Sequence, residues 1–475
     1  MKAPIVRLFG LIIVLFALLI GFTSYWSVFA AGELRANPAN HRDELQEQRI
    51  KRGTIRTADG QLIAGSTRSK GGVYRRRYPQ HDLFGHPVGY AFTSIGRSGL
   101  EEYYNDALTG RRTELLSVFD SLLNKKPVGQ DLETTLNAKA QRVALNALRN
   151  SPSGKGAVVA MDVKTGAVRA MVSSPPYDPN NLDSPSVFKK LSTDETNAPL
   201  VNRATQSLYP PGSTFKTVTA AAALDSGAYT PDSQISGKNN KVISGVPLQN
   251  FAGEDFGSIS LTFALTHSVN TVFGEIGEKL GKATMRKYML RFGFDSQPPI
   301  DLPSSELASS GERRNGRILS PASRFVDVGR MAIGQDKLLV TPLEMATVAQ
   351  TIGNDGVRMK PYLVSKGFDA DGRTTIDHSP QQAERVMSSS SAAALTAMMK
   401  QVVKEGTGTA AALTGVDLAG KTGTAELNNN GLNDLWFIAF TGKTAIAVVV
   451  ERVQGQQGGT VAAPIAKQVL EALGG

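Results

Sequence analysis

Three short clusters carry residue types that could do chemistry together. Ser213 and Lys216 stand three apart in "YPPGSTFK", Ser268 and Asn270 two apart in "THSVN", and Lys421-Thr422-Gly423 opens "KTGTAE". A serine hydroxyl is a weak nucleophile until an adjacent base takes its proton. Lysine becomes such a base when burial or a neighbouring positive charge lowers its pKa. Residues three apart share a helix face, so Lys216 can reach the Ser213 hydroxyl if both lie on one helix. Each cluster alone also has a plain structural reading: a cap serine with an exposed lysine one turn later, a cap serine beside a turn asparagine, and an ordinary strand end. In this order along one chain they form a more specific pattern than any one of them, centred on a serine nucleophile with a lysine base.

Lys421 has a competing reading. "GVDLAGKT" (415–422) has the G-x-x-x-x-G-K-T spacing of a phosphate-binding loop. Such a loop must open a helix, whose first N–H groups cradle the phosphate. Here "GTAELNNNGLNDLWF" follows, and Asn428 to Gly431 read as a turn. Lys421 is therefore assigned to an edge strand, along which a substrate backbone can lie.

The N-terminus gives a location. Lys2 and Arg7 precede an uncharged apolar run from Leu8 to Ala31, with Tyr25 and Trp26 near its outer end. About 20 apolar residues span a bilayer as a helix, with basic residues on the cytoplasmic side. Val28 and Ala30 would also suit a signal-peptide cleavage site, but the run exceeds the usual apolar stretch of about 7–15 residues. On either reading the chain beyond Glu33 is exported. The net charge of +10 is spread out, with "YRRRY" (74–78) its one dense cluster. In an exported domain that reads as a solvated face, or a contact with anionic lipid or wall polymer, and not as a nucleic-acid surface. The absence of cysteine excludes disulfides and a thiolate nucleophile. The five histidines form no H-E-x-x-H, so no metal or other cofactor is implied.

The elements that must position the clusters can be read coarsely. A polar stalk runs from Gly32 to about Gln48. "RGTIRTADGQLIAGS" (52–66) reads as a hairpin around Asp59-Gly60. "GRSGLEEYYNDALTG" (96–110) reads as a short helix closed by Gly110. In "DLETTLNAKAQRVALNALRN" (131–150) a strand precedes an amphipathic helix capped by Asn137. Two apolar strands flank Lys164-Thr165-Gly166, and "STFKTVTAAAALDS" is a helix with Ser213 at its start and Gly227 closing it. "TAIAVVVERV" (444–453) is a further strand, followed by a terminal amphipathic helix. The order predicts an α+β fold in which one antiparallel sheet is covered by helices.

These stretches resemble the penicillin-recognising serine enzymes, and most of all the class B penicillin-binding proteins. The resemblance is carried by "RGTIRTADGQLIA", "GAVVAMDVKTGAVRAMVSSPPYDPN", "YPPGSTFK", "AIGQDKLLVTPLEMA", "NDGVRMKPYLV", "EGTGTAA" and "GKTGTAE". The short first module and "NPANHR" (37–42) point to the actinobacterial branch, which implies a role in cell division. The stretch between the anchor and Ser213 is too short to hold a glycosyltransferase domain as well. The family implies a cytoplasmic tip (1–7), a transmembrane anchor (8–31), a mixed α/β, dimerisation-like pedestal (32–150) and a penicillin-binding/β-lactamase-like transpeptidase domain (151–475).

By the same resemblance, Ser213 attacks the penultimate D-alanyl carbonyl of a peptidoglycan stem peptide, with Lys216 as base. Ser268 relays the proton, Asn270 orients Lys216 and holds the donor peptide amide, and Lys421 supplies positive field. Thr422 and Thr424 bind the terminal carboxylate, with Gly423 between them in the strand. The N–H groups of Ser213 and Thr424 form an oxyanion hole worth roughly 3–4 kcal/mol per donor. β-Lactams would acylate Ser213, and a membrane glycan polymerase of the shape, elongation, division and sporulation family is a candidate partner. A β-lactam hydrolase or sensor, and an idle scaffold that binds partners through its pedestal, are the rival readings.

Overall fold

A computed structural model of the protein describes residues 2–26, 48–69, 71–110, 128–427 and 431–475. The end of the apolar run (27–31), most of the expected stalk with "NPANHR", and the asparagines 428–430 of the expected turn lie outside the described residues. The chain divides into two units, Met1–Lys51 with Arg68–Arg75, and Arg52–Thr67 with Arg76–Gly475. In the first, helix α1 (Lys2–Ser24) includes a stretch, Pro4–Ser24, of mean hydropathy 2.8, long and apolar enough to cross a membrane.

The next elements are β1 (Ile55–Arg56), β2 (Leu62–Arg68), β3 (Tyr74–Arg77), β4 (Asp131–Thr134) and helix α2 (Ala138–Arg149). β1 and β2 form the expected hairpin, pairing Ile55 with Ala64 and Arg56 with Leu62, while Gly60 takes the positive φ of the turn. Asn137 caps α2 by accepting from Ala140 N at 2.9 Å. The expected single helix at 96–110 is instead two, Gly99–Tyr103 and Asn105–Thr109, and Gly110 ends the second in the left-handed region. "YRRRY" is not uniformly solvated. Strand alternation turns Arg75 and Arg77 outward and Arg76 inward. Buried Arg76 and half-buried Arg52 hold the two oxygens of buried Glu101 at 2.5 and 2.7 Å.

Continuing along the chain come β5 (Gly156–Asp162), β6 (Val168–Ser174), α3 (Lys216–Asp225), α4 (Leu261–Thr266), α5 (Asn270–Phe292) and α6 (Pro342–Gly353). Then follow β7 (Val364–Phe368), β8 (Thr374–Asp377), α7 (Ser389–Lys404), β9 (Ala419–Leu427), β10 (Leu432–Phe440), β11 (Thr444–Gln454) and α8 (Gly458–Ala472). Two larger sheets organise them. One has six strands in the order β8-β7-β4-β1-β2-β3, so strands from late in the chain complete the sheet of the first module. The other is the expected antiparallel sheet, five strands in the order β9-β10-β11-β5-β6.

β10, β11 and β5 are buried almost continuously along their length. Residues facing both sides are therefore covered, as in a sheet with helices on each face. α2 and α8 pack together and on this sheet, and α6 and α7 pack on it as well. Thr341 starts α6 by accepting from Glu344 N at 3.1 Å, with Pro342 in the first turn. The layered sheet leaves β9 as an edge beside the turn at Gly212–Phe215.

Candidate active site

The approach to Ser213 is set by Pro210 and Pro211, which have no N–H to give to a regular ladder. Ser213 does not begin the α-helix directly. Gly212–Phe215 form a tighter helical turn, in which Lys216 N donates to Ser213 O, and α3 begins at Lys216. Gly212 has φ +52, and its N–H donates to Gly334 O at 3.0 Å. A Cβ on Gly334 would lie 1.9 Å from Gly212 O, so only glycine fits there. The Ser213 side chain is half-buried, and its hydroxyl makes no hydrogen bond among the described residues.

Lys216 is fully buried on the first turn of α3. Its Nζ donates to Ser268 O at 2.6 Å, to Asn270 Oδ1 at 2.7 Å and to Ser268 Oγ at 3.2 Å. Ser268 lies between α4 and α5 with φ +60, and Asn270 is the first residue of α5. Asn270 Nδ2 donates to Gln249 O at 2.9 Å, which fixes the amide with its oxygen toward the lysine. The Phe273 ring, one turn on, lies 5.7 Å from the Lys216 ammonium.

Lys421 approaches from the edge strand, also fully buried. Its Nζ donates to Ser268 Oγ at 3.0 Å and to Thr422 O at 3.0 Å. Ser268 Oγ thus joins two lysines that are far apart in the sequence. Burial, and then the charge of Lys421, hold Lys216 well below the ordinary lysine value. Burial lowers Lys421 to about 7. Taking an ammonium out of water disfavours its charged form, and a second one nearby adds to that for Lys216. The site therefore holds an amine poised to accept a proton, next to a serine.

Lys421-Thr422-Gly423 occupies the middle of a nine-residue strand and not its end, and no helix follows Thr422. That removes the phosphate-loop reading, since the helix N-terminus it requires is missing. Gly423 faces Trp436 in the register of β9 with β10, and a Cβ on it would come within 2.8 Å of Pro211 O. Thr422 Oγ1 is 2.6 Å from Thr407 Oγ1, and Thr424 Oγ1 accepts from Gly458 N at 3.2 Å. His267 is exposed, with its ring 4.2 Å from that of Phe263.

The structure thus gathers Lys216, Ser268, Asn270 and Lys421 into one hydrogen-bonded cluster. Ser213 lies one turn from Lys216, and Thr422, Gly423 and Thr424 lie along the adjoining strand. Reasoning from residue types did not single out Gly334, Thr407, Gln249 or Trp436. "AIGQ" and "EGTGT" carried a signal in their glycines, whereas Gln249 acts through its backbone and carries none.

Residues 156–471 match the penicillin binding protein transpeptidase domain, and residues 52–132 match the penicillin binding protein A dimerisation domain. With its antiparallel sheet, buried lysine pair and serine turn, the chain belongs to the penicillin-binding protein transpeptidases. It is a class B, serine-type D,D-transpeptidase. Within that class it is 36% identical to the peptidoglycan D,D-transpeptidase PbpA of Mycolicibacterium smegmatis, over 99% of each chain. Its identity to PbpA of Mycobacterium tuberculosis is 35%, again over 99% of each chain. The fold matches penicillin-binding protein A from M. tuberculosis, in a ceftriaxone acyl-enzyme complex, with a TM-score of 0.81 at 33% identity, over 90% of this chain and 99% of that one. The family resemblance read from the motifs is borne out.

Proposed function

We propose that the protein is a membrane-anchored transpeptidase that cross-links peptidoglycan stem peptides through an acyl-enzyme on Ser213, in septal wall synthesis. Neutral Lys216 takes the Ser213 proton as Oγ bonds to the penultimate D-alanyl carbonyl carbon. It keeps two N–H groups for Ser268 O and Asn270 Oδ1, and its lone pair accepts the proton. The N–H groups of Ser213 and Thr424 receive the oxyanion. As the C–N bond breaks, the proton passes through the Ser268 hydroxyl to the departing D-alanine. An amine of a neighbouring stem then attacks the ester carbonyl, and as the C–Oγ bond breaks the amine's proton returns through Lys216 to the Ser213 oxygen. Lys421 supplies positive field, and Thr422 and Thr424 receive the terminal carboxylate beside Gly423. β-Lactams acylate the same serine.

The observation that carries this reading is the convergence of two buried lysines on Ser268 Oγ, at 3.2 and 3.0 Å, one turn from a serine. We assign residues 1–7 to a cytoplasmic tip, 8–31 to the membrane anchor, 32–150 to the pedestal and 151–475 to the transpeptidase domain. α2 and β4, from within the pedestal range, contribute to the contacts across that division. The anchor reading draws on α1, and the septal role on the similarity to PbpA. A membrane glycan polymerase is the proposed partner. The experiment is labelling of the full chain in detergent with a fluorescent penicillin. A stable covalent adduct that Ser213→Ala abolishes is expected. No adduct at all would refute the reading, and rapid release of hydrolysed drug would make the protein a hydrolase.

A further inference from the structure

We propose that Trp436, acting with Tyr209 and Glu451, is a positioning residue for Ser213, tying the nucleophile turn to the strand that sets the register of Lys421–Gly423. The proposal rests on the acyl-enzyme reading above, and it adds Trp436 and Glu451, which lie outside the three clusters, and Tyr209, which opens the first of them.

The segment Tyr209–Gly212 must deliver Ser213 accurately, yet two of its four residues lack an N–H. Its fixing points come from elsewhere. Tyr209 exchanges both backbone hydrogen bonds with Val340, at 2.9 and 2.8 Å. Its phenol donates to Glu451 Oε1 at 2.9 Å. The same carboxylate oxygen accepts from Arg203 Nε at 2.5 Å. The remaining nitrogens of Arg203 donate to Ala198 O and Asn197 O, at 3.0 and 2.6 Å. Glu451 is therefore paired with Arg203 and anchored on β11, and it holds the Tyr209 phenol.

One residue further along, Pro210 O accepts from Trp436 Nε1 at 2.9 Å. Trp436 is fully buried, and its ring meets that of Tyr209 edge-on at 6.0 Å. It lies on β10 directly across from Gly423. A single side chain thus links the carbonyl three residues before the nucleophile to the strand that aligns the lysine wall. Phenylalanine would fill most of the volume but could not donate this bond. Ser213 and the edge strand are held to one strut, and their separation is what a substrate carbonyl placed between them must fit.

The test uses the full chain in detergent and saturation kinetics with a fluorescent penicillin, separating the dissociation constant K from the acylation rate k2. A reacting atom displaced by about 1 Å costs roughly 100-fold, so loss of one fixing point should cost about tenfold. Trp436→Phe is expected to lower k2 about tenfold, with K changed less than about twofold. Tyr209→Phe should lower k2 in the same direction, and the double variant should lose less than the product of the two, because both act on one strut. Val448→Ala, a cavity in the same buried sheet, is the control for destabilisation alone: its Tm falls while k2 holds. Unchanged k2 in both Trp436→Phe and Tyr209→Phe overturns the proposal, as does a fall matched by Val448→Ala. Absence of any wild-type adduct instead overturns the acyl-enzyme reading on which it rests.

Discussion

Replacing Lys421 by methionine tests the electrostatics of the lysine pair. Methionine keeps an unbranched apolar stem and removes the charge and the N–H groups. Both ammonium nitrogens bond Ser268 Oγ, at 3.2 and 3.0 Å. They therefore lie no more than about 6 Å apart, where two unit charges repel by about 3 kcal/mol at an effective dielectric constant near 20. That energy corresponds to about two pKa units. A cationic neighbour disfavours the ammonium, so its removal raises the Lys216 value. Acylation requires Lys216 neutral, so its rate rises with pH as that proton leaves. In Lys421→Met the acid limb of k2 against pH should therefore move upward by about two pH units. The loss of k2 should be largest at low pH and partly recovered near pH 9. The assay is k2 for the fluorescent penicillin from pH 5 to 9.5, on wild type and variant. An acid limb at the wild-type midpoint, with a uniform loss, would refute the electrostatic coupling. Stability supplies an independent check. Lys421 sits at about 7 in the folded chain against 10.5 ordinarily, so its burial penalty is full below pH 7. The penalty disappears as pH rises toward 10.5. Folding stability should gain across that window in wild type, and Lys421→Met should flatten the gain.

Two further substitutions probe different levels of the structure. Gly334→Ala would put a Cβ 1.9 Å from Gly212 O, at φ +79, so the turn bearing Ser213 must move. Acylation by labelled penicillin should fall at least about 100-fold, while circular dichroism still reports a folded chain. Glu101→Ala leaves Arg52 and Arg76 without their shared carboxylate, held now at 2.7 and 2.5 Å. Breaking a buried pair costs about 3–5 kcal/mol, so the denaturation midpoint should drop clearly. The acylation rate of the remaining folded protein should stay within about twofold of wild type, because Glu101 touches none of the residues around Ser268.

What could be read in the sequence follows a physical division between local and non-local information. Ser213 and Lys216, or Ser268 and Asn270, are recognisable because one turn of backbone fixes their relation, whatever surrounds them. Asn137 as a cap and Gly60 in its turn are local in the same sense. The meeting of Lys421 with Ser268 is not local, since it depends on β9 pairing with β10 in the register that sets Gly423 against Trp436. The return of β7 and β8 to the sheet of the first module is hidden for the same reason. "YRRRY" shows a strand period but not its inward face, so the buried role of Arg76 appears only with Glu101 in place. The ambiguity of "GVDLAGKT" is settled at this non-local level. A phosphate clamp needs a charged ammonium within reach of solvent at a helix start. Lys421 is instead buried in a strand, brought down to about 7, and bonded to Ser268 Oγ and Thr422 O. Near neutral pH such an amine is only partly charged, which suits it to govern the proton on Lys216 and makes it a poor counter-ion for a phosphate.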